Sequence, residues 1–260
     1  DVIAVFQSLG INPIMNQPEN PDAASLIIAV PAEEQVSGGN FNPWGPTSPT
    51  EYNDIPLVAG EHEYIGTDGN DNFIGDVTGN SSKSTLQRDD VIDGAGGDDM
   101  LTVGLNGNWS GFSSKGGMTN VGTVNLENDA SRAYSFNAKG IDGATTWNLD
   151  GNINLSELSR TGVDVNLSNV HIANGVNIGF ASGVTSGPAD ALTIGLENVY
   201  IPATGNDQSA KPVSIKAQGI EDVTINSTGT LADNRVDISN IDYMETLAVK
   251  GDGNVHVTTS

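Results

Sequence analysis

From about residue 120 to the end of the chain, apolar and polar positions alternate in short runs. They read "TVNLEN", "TTWNLDG", "VDVNLSNV", "VNIGF", "LTIGLENV", "VSIKAQ", "DVTINST", "VDISNI", "TLAVKG" and "VHVTTS". An alternation of two places successive side chains on opposite faces of an extended segment, so each run predicts a strand with one buried face. Gly, Asn, Asp and Ser fill the gaps, and the runs recur roughly every 10 to 23 residues. Short strands at a loose period fit either a sandwich or a β-solenoid. The solenoid is favoured here, because the runs are brief and their apolar residues are mostly Val, Ile and Leu. Such residues fill a narrow core of stacked rungs without large anchors.

The first 60 residues follow another rule, since eight of the eleven prolines fall before residue 57. "DVIAVFQSLGINP" predicts a short helix with Val2, Val5, Phe6 and Leu9 on one face. "LIIAVP" predicts a strand, and "GGNFNPWGPTSPTEYNDIP" an extended loop. Phe41, Trp44 and Tyr52 suggest that this arm packs against something, such as a neighbouring subunit. The expected division is an arm over 1–60, a metal-binding segment over 61–119 and solenoid repeats over 120–260.

The middle segment crowds small and oxygen-bearing residues around single apolar plugs. Residues 66–74 read G-T-D-G-N-D-N-F-I and residues 94–102 read G-A-G-G-D-D-M-L-T. Both approach the calcium nonapeptide G-G-x-G-x-D-x-U-x, with Gly66, Gly69, Asp71 and Phe73 on pattern in the first. Gly94, Gly97, Asp99 and Leu101 are in register in the second. Asp90, nine residues before Asp99, begins an in-phase half-motif with Val91 and Ile92. Calcium takes six to eight oxygen ligands and tolerates irregular geometry. Glycines permit the tight turns that aim carbonyl oxygens at an ion, and the aspartate adds a charged ligand.

"GTDGNDNFIGD…DDVIDGAGGDDMLTV" resembles the RTX-type segments of type I-secreted bacterial proteins. With the following "MTNVGTVNLEN", residues 65 to about 128 resemble calcium-dependent surface-layer proteins of Caulobacter type and similar adhesins. The resemblance implies a short calcium-binding β-roll that opens an irregular β-solenoid. It also implies carboxylate ligands Asp71, Asp90 and Asp99, with carbonyls from Gly66, Gly69, Gly94 and Gly97. Asp68, Asp93 and Asp98 are further candidates that the motif does not require. The insert "GNSSKSTLQR", Gly79 to Arg88, breaks the nonapeptide phase, and "KGDGNV" near the end is a weaker calcium candidate.

Composition narrows the class. The chain carries 33 acidic and 10 basic residues, a net charge of −23, and no cysteine. A polyanion repels nucleic acid and anionic membranes but suits a cation-binding protein. Absent disulfides fit a cytosolic protein or a bacterial exported one stabilised by metal. No apolar run of 18 residues occurs, so no membrane span is expected. A start at Asp1 suggests part of a longer polypeptide.

Catalytic patterns are missing. His62, His171 and His256 are widely separated, "GFSSKG" fails as a nucleophile elbow, and no phosphate-binding glycine loop is present. A polysaccharide lyase or epimerase would need clustered basic residues, which are scattered here. Trp109, Trp147, Tyr134 and Phe136 offer a candidate sugar-stacking platform, which would make the chain an adhesin module. The expectation is an all-β, non-catalytic, secreted surface protein that binds calcium and self-associates into a lattice or fibre. Cell-surface glycan or lipopolysaccharide is the other candidate partner.

Overall fold

The computed structural model describes Ile14–Met15, Leu26–Ile27 and residues 51–259 except 205–208 and 230–232. The chain forms two compact units, Asp1–Pro49 and Thr50–Ser260. In the first, β1 (Ile14–Met15) pairs antiparallel with β2 (Leu26–Ile27), Ile14 opposite Ile27. The expected helix over residues 1–13, like Phe41 and Trp44, lies outside the described residues.

The second unit is all-β. Its odd strands are β3 (Asn53–Pro56), β5 (Asp71–Thr78), β7 (Met100–Asn106), β9 (Thr123–Asn128) and β11 (Thr146–Gly151). They continue as β13 (Val163–Ser168), β15 (Ala191–Glu197), β17 (Asp222–Ser227) and β19 (Thr246–Gly251). These nine pair in parallel, each with the next odd strand, into one sheet. The even strands return between them: β4 (Glu63–Ile65), β6 (Val91–Asp93), β8 (Gly117–Thr119), β10 (Tyr134–Asn137) and β12 (Ile153–Leu158). β14 (Val176–Phe180), β16 (Val213–Ala217), β18 (Asn234–Ile241) and β20 (Val255–Thr258) complete the set. They form a three-stranded sheet, β4-β6-β8, and a six-stranded sheet from β10 to β20, also parallel. The result is a β-solenoid-like stack of coils, each with one strand on either side. All ten runs singled out in the sequence are strands of this stack, and β7 pairs with β9 without a break.

Coil length varies while the strands of the nine-stranded sheet stay in register. Equivalent positions on successive coils are 18, 28, 23, 23, 18, 29, 31 and 24 residues apart. Loops at the turns absorb the difference, which costs little because closure entropy grows slowly with length. The insert after β5 shows how. A short 3-10 turn at Ser81–Lys83 folds back, Asp76 N donates to Thr85 Oγ1 at 2.7 Å, and Leu86 enters the core.

Inside, apolar rows stack through the coils: Phe73, Leu101, Val124, Trp147, Val165, Ile194 and Ile225 are all buried. The four rings considered as a sugar platform are buried too. Trp109 forms a bridge to Phe136, and Met118 one to Ile141, where the second side passes from the three-stranded to the six-stranded sheet. The rings fill this junction, with Trp109–Phe136 centroids 6.1 Å apart and Phe136–Trp147 6.3 Å. They therefore offer no exposed stacking face.

Outside, polar side chains bond along the stack. Asn125 Nδ2 donates to Thr102 Oγ1 at 3.2 Å, Asn148 Nδ2 to Asn125 Oδ1 at 2.8 Å, and Asn166 Nδ2 to Asn148 Oδ1 at 2.8 Å. A parallel stack brings equivalent side chains about 4.8 Å apart, the reach of one amide to the next. On β19 the apolar Val249, in register with fully buried Ile225, is 50% exposed.

Candidate metal centre

The two calcium-like turns lie at one corner of the stack. The turn 66–71 joins β4 to β5, and the turn 94–99 joins β6 to β7. β4 pairs with β6 and β5 with β7, so the turns stack directly. Gly66 N donates to Asp93 O at 2.7 Å, and Asp98 N to Asn70 Oδ1 at 2.8 Å. The aspartates do not point at solvent. Asp71 and Asp99 are buried, each two residues before its core plug, Phe73 or Leu101. Strand alternation sends both aspartate and plug inward.

Asp71 is fully bonded. Its Oδ2 accepts from Thr67 N at 2.6 Å and Thr67 Oγ1 at 3.0 Å, and its Oδ1 accepts from Asn53 Nδ2 at 2.7 Å. Burial pushes its pKa up, but these three donors outweigh burial and hold the carboxyl below its ordinary value. Asp99 differs. Its Oδ1 accepts from Asp71 N at 2.8 Å, whereas its Oδ2 is buried with no hydrogen-bond partner among the described residues. Burial, followed by the nearby charges of Asp71, Asp98 and Asp93, pushes this carboxyl up despite the one N–H it accepts.

No protein-family model matches the chain, and neither a curated protein nor a solved structure does. The case for a metal therefore rests on the chain's own geometry.

Each turn leaves a cradle where its first glycine lacks a side chain. A methyl placed on Gly66 would fall 2.7 Å from Asp71 Oδ2 and against the carbonyl of Gly94. One on Gly94 would fall 2.5 Å from Asp99 Oδ2 and against the carbonyl of Asn120. In both, a carboxylate oxygen and the next coil's carbonyl face the same space. These are hard oxygen donors, the type calcium takes. A buried carboxylate oxygen with no donor fits a cation, since an unpaired buried charge is otherwise costly. Among the described residues no group of three or more His, Cys, Asp or Glu side chains is arranged around a common point. A centre here would draw on carbonyls as much as on side chains.

The other expected residues divide by place. Gly69 and Gly97 belong to the same stacked turns, a Cβ on Gly97 falling 2.5 Å from Gly69 O. Asp93 lies beside the cradle, its Oδ1 accepting from Ala95 N at 3.0 Å and Asn120 Nδ2 at 2.7 Å. Asp68 and Asp98 are exposed on the rim. Asp90 lies at the opposite corner, in the turn from β5 to β6. Its oxygens accept from His62 N at 2.9 Å and Gln87 N at 2.7 Å, so it caps backbone. Burial pushes its pKa up in spite of both donors.

Three contributors escaped the motif: Thr67, Asn53 and Asn120. Thr67 occupies the second glycine position, where its hydroxyl and N–H close the first turn. Asn53 lies 18 residues before Asp71, two nonapeptides upstream, a spacing visible in the sequence. Asn120 has no such signal, because its carbonyl arrives from a coil of a different length.

Proposed function

We propose that this chain is a calcium-dependent structural protein of a bacterial cell-surface layer or extracellular matrix, exported by a type I route and without catalytic role. One observation carries the calcium part: the buried, donorless Asp99 Oδ2 facing the Asn120 carbonyl across the Gly94 cradle. Asp99 and the carbonyl of Asn120 would hold the ion, with Asp71 and the Gly94 carbonyl offering a second, already bonded position. Calcium, when bound, supplies positive charge to a carboxylate that burial otherwise destabilises. Asp71 meanwhile ties the turn to Thr67 and Asn53, and Phe73 and Leu101 seat the turns on the core. Binding and folding are then linked, and external calcium, which extracellular modules bind at about 10⁻⁴–10⁻³ M, orders the chain after export. Self-association rests on the resemblance of residues 65–128 to surface-layer proteins.

The test is a calcium titration of chelated protein followed by circular dichroism and light scattering. A rise in both β-structure and concentration-dependent scattering supports the proposal. Ordering without scattering favours an adhesin module in its place. No response to calcium overturns the metal centre.

A further inference from the structure

In a polyanion of net charge −23, Arg132 joins no ion pair among the described residues. Its loop, between β9 and β10, is held from below by buried Asn128. That amide donates to the Arg132 carbonyl at 2.9 Å and the Asn152 carbonyl at 2.6 Å, and accepts from Ala130 N at 2.9 Å. The guanidinium is held from the side. It lies 4.7 Å over the Tyr134 ring, and its Nε and Nη2 donate to the Tyr134 hydroxyl at 3.0 and 2.7 Å. Those bonds use two of the five guanidinium N–H groups, leaving three at the Nη1/Nη2 end.

Arg132 and Tyr134 line a cavity of about 480 Å³ with Thr78, Ser81, Gly107 and Asn108, and among the described residues none that lines it is acidic. The chain's overall charge does not close this site to anions. At physiological ionic strength charges beyond about 8 Å are largely screened, so the nearest groups decide. A fixed planar guanidinium matches two oxygens of one carboxylate or phosphate. Ser81 and Asn108 add a hydroxyl and an amide to the same wall.

We infer that this cavity is an oxyanion site that takes the carboxylate or phosphate of an acidic sugar on Arg132. It shares no residue with the calcium turns, so it stands or falls separately from the reading above. Tyr134 is a positioning residue, acting through the guanidinium.

The test uses the full chain in calcium, titrated by NMR at the side-chain amide of Asn108, which lines the cavity in every variant, with glucuronate, glucose 6-phosphate and neutral glucose. A charged sugar should shift this resonance with a Kd of about 1 mM, and glucose should not. Arg132→Met should weaken binding at least tenfold. Tyr134→Phe should weaken it a few-fold with Tm retained, and Arg132→Lys should restore only part of it. A response to glucuronate alone assigns a carboxylate, to the phosphate alone a phosphate, and to both the shared chemistry. No shift up to about 20 mM, an equal shift with glucose, or binding that survives Arg132→Met overturns the site.

Discussion

The turns 66–71 and 94–99 share a recipe and stack on each other, yet their aspartates are in opposite electrostatic states. At the first, three donors surround Asp71 and stabilise its ionised form without outside help. At the second, Ala95 stands where the first turn has Thr67, and one oxygen of Asp99 meets no donor. Thr67 turns both its N–H and its hydroxyl to Asp71, and Asn53 adds an amide, whereas Ala95 N donates to Asp93; those donors separate a self-sufficient turn from one that calls for a cation. Motif positions name the residues; the donors around them set the energies.

The strongest perturbation is to empty the core beneath each turn. Phe73→Ala should cost about 3–5 kcal/mol and Leu101→Ala about 2–5 kcal/mol by chemical denaturation, since both plugs are fully buried. A negligible loss at Leu101 would mean that the second turn does not sit on the core as the first does.

Next comes the pair of aspartates. In calcium-free protein, Asp71→Asn should destabilise by about 1.5–3 kcal/mol, the range for hydrogen bonds to a charged group. Asp99→Asn should leave the same protein unchanged or steadier, while abolishing any rise in Tm on adding calcium. Equal losses in calcium-free protein would erase the distinction between the turns.

A smaller effect is expected at Ala95, which sits at φ 63°, in the left-handed region that favours glycine. Ala95→Gly should stabilise the chain by about 1 kcal/mol in thermal melts, by relieving strain that the motif's glycine would not carry. Thr67 needs no such relief, and Thr67→Gly should instead destabilise by stripping a donor from Asp71.

The pH dependence gives the weakest contrast. Asp99 has its folded pKa raised, so the native state binds more protons than the unfolded one in that window. Its contribution in calcium-free protein is therefore present at low pH and lost as pH rises from about 4 through the raised value. Asp71, with its folded pKa lowered, contributes above about 4 and loses that contribution as pH falls. In Asp99→Asn the first dependence should vanish from stability–pH curves and the second remain.

Much of this is legible in the order of the residues. Runs such as "TVNLEN" and "DVTINST" fall on β9 and β17 because strand alternation writes itself directly into residue order. The run of β12 does not stand out, although "INLSEL" alternates as clearly in its first half, because it follows β11 after a single residue and blends into it. The calcium turns could be located by their glycines and aspartates. Asp90 was placed with them because its spacing of nine is in phase, but successive half-coils put it at the other corner.

Read alone, the residues settle what is local: which segments are extended, which face of each is apolar, and where the chain turns tightly. Those properties depend on side-chain alternation and on glycine's backbone freedom, both properties of neighbouring residues. Only the fold could show which turns stack, that Trp109, Phe136 and Trp147 fill a sheet junction, and that Arg132 makes no ion pair among the described residues. It alone shows that Thr67 satisfies Asp71 while nothing satisfies Asp99 Oδ2. The stacking and the sheet junction depend on partners one coil away, 18 to 31 residues along the chain, and coils of unequal length hide those distances from any fixed sequence period.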